Sequence, residues 1–256
     1  MNIVLLQLDI QWNNPIANIV RAENMMRQAS GADLYVLPEM WATGFVTHPE
    51  GVAEDEATAL SLQWMRTTAR ALKCAIAGSL AVKLENGTFR NRLYFVTPDG
   101  ESYYDKHHLF THGHEHECYV AGHSHVIVSW KDFRLLLLTC YDLRFPVWAR
   151  YGLAGKYDAI LLVANWPAVR QEAWHVLTRA RAIENQCYVI AVNRVGDDAI
   201  GHYVGDSVLI DPIGRIIAEA HNNIEQPIKS VLNIDTLLKR RNHFPVLDDR
   251  DCYPMV

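Results

Sequence analysis

Three side chains with reactive chemistry stand where strand-like runs end. Cys140 follows Leu135-Leu136-Leu137-Leu138-Thr139 and precedes Tyr141-Asp142-Leu143-Arg144-Phe145-Pro146. Pro146 suits the first position of a helix, which puts the thiol at a tight strand-to-helix turn, lifted out of the sheet. The G-x-S-x-G pattern of serine elbows is absent, but the presentation would be the same. Free backbone N–H groups and a helix dipole at such a turn favour thiolate, the nucleophilic form. Taken alone, a strand-end cysteine more often reads as an inert core thiol. Glu39 closes Leu37-Pro38-Glu39-Met40. A carboxylate just past a buried strand loses hydration and is suited to moving a proton, unless it merely caps a helix or pairs with a cation. Lys106 ends Ser102-Tyr103-Tyr104-Asp105 in the same way, and by itself reads as a solvated lysine. All three fall at strand ends of one α/β layer, where such folds gather reactive groups.

The elements that must hold these groups alternate along the chain. Residues 3–8 read as a buried strand, and Asn14 caps a helix with Pro15 at its first position and Gly31 at its end. Residues 34–37 read as a strand, and 54–72 as a helix with Leu62, Met65, Ala69 and Leu72 at helical spacing. A hairpin of 74–83 and 89–97 turns across Glu85-Asn86-Gly87-Thr88, and Pro98-Asp99-Gly100 leads into 102–105. The second half repeats the order: strand 134–139, helix 146–155, strand 159–163, helix 171–186, strands 187–195 and 204–211, then 215–219. Thr97-Pro98-Asp99-Gly100 matches Asp211-Pro212-Ile213-Gly214 in place and in turn chemistry. Two β-α-β-α-β-β halves imply an α/β sandwich with pseudo-symmetric halves. Residues 106–122 join the halves as a long, His-rich loop, and a loop of that length in a compact domain is usually functional. No Pro/Gly/Ser linker divides the chain, so 1–256 reads as a single domain, with a charged tail, 236–256, outside the repeat.

Composition narrows the classes of function. The 256 residues are 50% hydrophobic and 21% charged, which excludes a disordered chain. Size scaling gives a folded surface of roughly 11,400 Å² against roughly 42,000 Å² extended, enough burial for one large core or two small ones. No apolar run approaches the ~18–20 residues of a membrane span, and the apolar start lacks the basic region of a signal peptide. With 24 Lys+Arg against 29 Asp+Glu, the net charge is −5, and neither a nucleic acid nor a membrane surface is an expected partner. The 5 cysteines form no CxxC pair, so reduced thiols in a cytoplasmic protein are expected, with Cys74 and Cys187 in the core. A small-molecule task is the leading expectation.

Taken together, the blocks become recognisable. Pro38-Glu39-Met40, Tyr104-Asp105-Lys106-His107-His108-Leu109-Phe110 and Cys140-Tyr141-Asp142-Leu143-Arg144-Phe145-Pro146 resemble the three catalytic blocks of the nitrilase, or carbon–nitrogen hydrolase, superfamily. Arg179-Ala180-Arg181-Ala182-Ile183-Glu184-Asn185 and Gly205-Asp206-Ser207 extend the likeness over about residues 1–235, in the right order. Glu39-Met40-Trp41-Ala42-Thr43-Gly44-Phe45, the Tyr141-Asp142 pair and Ala164-Asn165-Trp166-Pro167 look most like the omega-amidase branch, which hydrolyses 2-oxoglutaramate. True nitrilases usually carry Trp-Glu after the cysteine.

The resemblance implies a four-layer α-β-β-α sandwich that pairs as a homodimer. It implies Cys140 as nucleophile, Glu39 as general base, Lys106 as oxyanion stabiliser together with the backbone N–H of Tyr141, and no cofactor. It also implies a second carboxylate in the joining loop. Counting back from Gly122 lands on Glu115, with Glu117 close enough to compete. The expected substrate is a short amide bearing a carboxylate, gripped by Arg144 and walled by Trp166, with Trp41 and Phe45 completing the wall. An Arg144–Asp142 ion pair bracing the turn is the structural alternative. Hydrolysis of N-carbamoyl acids is the second enzymatic reading, and a binding protein without turnover the non-enzymatic one. His112-Gly113-His114-Glu115-His116 could line up three imidazoles for zinc if extended, but recognised zinc spacings are absent and no metal is expected.

Overall fold

The computed structural model describes residues 1–251, so Cys252 lies outside the described residues. The first sheet runs Gln226–Val231, Asn2–Gln7, Leu34–Val36, Ala75–Lys83, Phe89–Val96 and Glu101–Asp105, with Glu54–Asp55 beside Ala75–Lys83. The second runs Ile216–Glu219, Val208–Ile210, Tyr188–Asn193, Ala159–Ala164, Phe133–Thr139 and Ile127–Trp130. Each sheet has the same pattern of pairing. Asn2–Gln7, Leu34–Val36 and Ala75–Lys83 are parallel, and Phe89–Val96 and Glu101–Asp105 add on antiparallel. Phe133–Thr139, Ala159–Ala164 and Tyr188–Asn193 repeat this, followed by Val208–Ile210 and Ile216–Glu219.

Alternation decides which layer each side chain joins, because successive strand residues point to opposite faces. Ile3, Leu5, Leu34 and Val36 pack between the sheets against Leu135, Leu137, Leu161 and Val163. Their neighbours Val4, Leu6 and Tyr35 face outward onto Met25, Met26, Leu62 and Met65 of helices Pro15–Gln28 and Leu60–Leu72. Leu136, Leu138, Ile160 and Leu162 likewise face Trp174 and Ala182 of helix Gln171–Asn185. Strands buried on both faces read as unbroken apolar runs, as these do. The layers are helix, sheet, sheet, helix.

Several boundaries differ from the sequence reading. The helix expected over 146–155 stops at Ala149, because Gly152 and Gly155 take φ of +95° and +104° and close a turn in which Gly152 N donates to Gly155 O. The strand expected over 204–211 splits at Gly205 and Asp206, both at positive φ, into His202–Val204 and Val208–Ile210. Helix Ile234–His243 belongs to neither half of the repeat, yet it packs on the core. Gln226–Val231 pairs with Asn2–Gln7 in the first sheet, and helix Ile234–His243 buries Leu237 in the cluster between the sheets. Arg241 from that helix donates to Asp158 at 3.2 Å and to Tyr157 O at 2.8 Å. The joining loop contains a 3-10 turn, Thr111–Gly113, and a helical turn, Glu115–Cys118.

Candidate active site

Cys140 follows strand Phe133–Thr139 with φ of +43°, a left-handed conformation costing about 1–3 kcal/mol for a residue with a side chain. A buried carboxylate holds the turn in that shape. Asp142 accepts from Thr139 N at 2.9 Å, from the Tyr104 hydroxyl at 2.8 Å and from His108 N at 3.0 Å. Asp142 is therefore committed inward and makes no pair with Arg144. The Cys140 thiol points to Asn165 O at 3.9 Å. Burial, then the charge of Glu39, push the Cys140 thiol well above the usual thiol range, with Lys106 opposing. Thiolate was the expectation at this elbow. A 3-10 turn of 5 residues and a helix of 4 offer little dipole, and desolvation wins.

Glu39, Lys106 and Glu115 meet with their side chains fully buried. Lys106 Nζ lies 2.8 Å from Glu39 Oε1 and 2.8 Å from Glu115 Oε2. Asn91 Nδ2 donates to Glu39 Oε1 at 2.8 Å and to Glu115 Oε1 at 2.9 Å, tying the two carboxylates together. Asn165 N donates to Glu39 Oε2 at 2.9 Å, and Asn165 Nδ2 to Glu39 O at 2.7 Å. Burial works against the Lys106 ammonium, but Glu115, Glu39 and Cys140 outweigh it and hold its pKa above the ordinary range. Burial pushes the Glu115 carboxyl up, with Lys106 opposing. Two carboxylates facing one ammonium leave a proton acceptor beside the thiol. Glu117, the competing acid, is exposed and pairs with His114 at 2.7 Å.

A cavity opens from the thiol, lined by Phe45, Lys106, Phe110, Tyr141, Arg144 and Trp166. The Arg144 guanidinium rests on the Trp166 ring at 4.9 Å. Trp41 is a correction. It is fully buried in the outer layer beside Trp64, 5.2 Å between rings, and is not part of the cavity wall. The period-two imidazole row does not form either, because 111–118 folds as a 3-10 turn and a helical turn instead of an extended strand. The sequence reading missed Asn91, Arg170, Ile200 and Tyr203, and gave Asn165 no role. Asn165 had a legible signal, since it follows its apolar strand as Glu39 follows 34–37. Ile200 and Tyr203 arrive on the hairpin Val195–Asp197/His202–Val204, whose nearness to the thiol no local pattern encodes.

Comparison with known proteins identifies the family. The carbon-nitrogen hydrolase family model matches residues 3–237. Omega-amidase YafV of Escherichia coli (strain K12) is 43% identical, the match covering 98% of this chain and 97% of that protein. The 2-oxoglutaramate amidase of Bacillus subtilis (strain 168) is 34% identical, with 97% of each chain covered. The crystal structure of XC1258 from Xanthomonas campestris, a CN-hydrolase superfamily protein with an arsenic adduct in its active site, superposes with a TM-score of 0.94. It is 39% identical and covers 100% of this chain and 99% of its own. A family model spanning all but the ends, relatives at these identities and a shared sandwich have one meaning: the chain belongs to the carbon–nitrogen hydrolase family.

Proposed function

We propose that this protein is an omega-amidase, converting a short 2-oxo acid amide such as 2-oxoglutaramate or 2-oxosuccinamate to the 2-oxo acid and ammonia. The observation that carries the reading is a cavity lined by the Cys140 thiol, the Lys106 ammonium and the Arg144 guanidinium on the Trp166 ring, with the Glu39 carboxylate 2.8 Å from that ammonium. The names of the similar proteins support it.

In this reading Glu39 takes the Cys140 proton as sulfur adds to the amide carbonyl, so the thiolate exists only as the bond forms. Lys106 and the backbone N–H of Tyr141 hold the tetrahedral oxyanion, about 3–4 kcal/mol for each donor. Collapse breaks the C–N bond, and Glu39 returns its proton to the nitrogen, which leaves as ammonia. Water then gives Glu39 a proton as it attacks the thioester, and the acid departs as the C–S bond breaks and sulfur recovers the proton. Glu115 keeps Lys106 charged and in place, and no cofactor enters. Arg144 grips the carboxylate through a two-bond fork, and Trp166 and Phe45 flank the chain between the two ends.

Blocking the substrate carboxylate as an ester tests the anchor. The expected loss is about 2–4 kcal/mol in kcat/KM, with Arg144→Lys losing much of the same. Equal turnover of the acid and its neutral analogue would return Arg144 to a structural role. The same reading makes residues 1–256 one domain acting as a cytoplasmic homodimer. Free thiols at Cys74, Cys118, Cys140 and Cys187 accord with a reducing compartment, and among the described residues no helix is long and apolar enough to cross a membrane. Exposed Val147, Val176 and Ile183 supply apolar surface for a partner copy, whereas Trp148 is taken up inside the chain between His107 and His125. Light scattering at micromolar concentration checks the dimer.

A further inference from the structure

Most half-buried and buried arginines in this chain meet a carboxylate. Arg92 pairs with Asp105 and Glu56, Arg181 with Glu184, Arg194 with Asp198 and Arg241 with Asp158. Among the described residues Arg144 and Arg170 do not, and neither do Arg150 and Arg240, which lie outside the catalytic cavity. Arg144 and Arg170 both line it. Each rests on an aromatic face, Arg144 on Trp166 at 4.9 Å and Arg170 on Phe110 at 5.2 Å. The backbone of Arg170 is tied to Trp166, whose Nε1 donates to the Arg170 carbonyl at 2.8 Å. The cavity therefore presents two guanidinium groups to a bound substrate, one resting on Trp166 and one on Phe110.

One carboxylate needs one fork. A second guanidinium suits a ligand with further acceptor oxygens next to the first, and a 2-oxo acid has that pattern: a carboxylate and an adjacent carbonyl oxygen, roughly coplanar. We propose that Arg170 is a specificity-determining residue that reads the 2-oxo oxygen while Arg144 holds the carboxylate. This rests on the omega-amidase reading and deepens it, since it makes a 2-oxo acid amide the preferred substrate over its saturated counterpart. A site built to hydrogen-bond an oxygen rejects the analogue lacking it far more strongly than an apolar pocket rejects a missing methylene.

The test compares 2-oxoglutaramate with glutaramate, the same acid without the oxo group, on wild type, Arg170→Gln and Arg170→Lys. Wild type should favour the 2-oxo substrate in kcat/KM. Arg170→Gln should lower that preference tenfold or more, mostly through KM, and Arg170→Lys should fall between. Calorimetry of the Cys140→Ala protein with 2-oxoglutarate and with glutarate gives a readout free of turnover. Its preference for 2-oxoglutarate should shrink when Arg170→Gln is added. An unchanged preference in variants that still melt like wild type would overturn the role of Arg170 while leaving the omega-amidase reading intact. Wild type inactive on both amides would overturn that reading, and this one with it.

Discussion

The two halves of the molecule share a frame and differ in what stands at its edges. Strands 34–36 and 159–164 occupy matching places, and their first polar residues meet: Glu39 N donates to Ala164 O, and Asn165 N to Glu39 Oε2. One half places a carboxylate there and the other an amide. Two carboxylates would repel at that distance, whereas an amide donates to the one acid and orients it. The last strands of the repeats differ as well. Strand 101–105 runs into Lys106 and the loop that carries Glu115, while strand 216–219 passes through a short turn into Gln226–Val231. Repeating a sheet supplied the platform. Breaking its symmetry at a few strand ends supplied the chemistry.

Removing the nucleophile should be the most severe way to test this division. Cys140→Ala should abolish amide hydrolysis with the fold intact, while intact-mass analysis of wild type with a slow substrate shows an acyl adduct on Cys140. Glu39→Gln makes the two matching positions alike, both amides, and should cost about 10²–10⁴-fold in kcat. It should also relieve part of what holds the thiol protonated. Because burial first and Glu39 second raise the Cys140 pKa, alkylation of Cys140 in wild type should stay slow through neutral pH and accelerate only in the alkaline range. In Glu39→Gln that acceleration should begin at lower pH, and a profile that does not move would break the link between them.

Asn165→Asp creates the opposite equality, two acids across the pseudo-twofold, and should lower kcat about 10–100-fold, the range expected when a supporting hydrogen bond becomes a like-charge contact. Steady-state kinetics beside a melting curve separates loss of orientation from loss of fold. The smallest effect on catalysis should come from the tail. Leu237→Ala removes a fully buried side chain between the sheets and should cost about 2–5 kcal/mol of stability with kcat close to wild type below the melting range. Denaturant unfolding measures it, and an unchanged midpoint would put the tail helix back outside the core.

Much of this protein is legible in local pattern. Unbroken apolar runs such as Leu135-Leu136-Leu137-Leu138 mean strands covered on both sides, and Asn14-Pro15 fixes a helix start, since its side chain accepts from Ala17 N as a cap should. The repeated Pro-x-Gly turns reveal the two halves. Cys140, Glu39 and Lys106 are each ambiguous alone and become legible together, as three blocks at strand ends in one order. Tertiary structure alone decided the rest. Glu115 and Glu117 are two residues apart in one charged segment, and only the fold buries the first against Lys106 and Asn91 while leaving the second in water. Trp41 and Phe45 look alike as aromatics beside Glu39, yet the backbone turn between them sends one into the helix layer and the other into the cavity. Periodicity records which face of its own element a residue occupies. Which distant element covers that face depends on how the sheets stack, so the carboxylate pair, the two cavity arginines and the hairpin over the thiol existed only once the layers had closed.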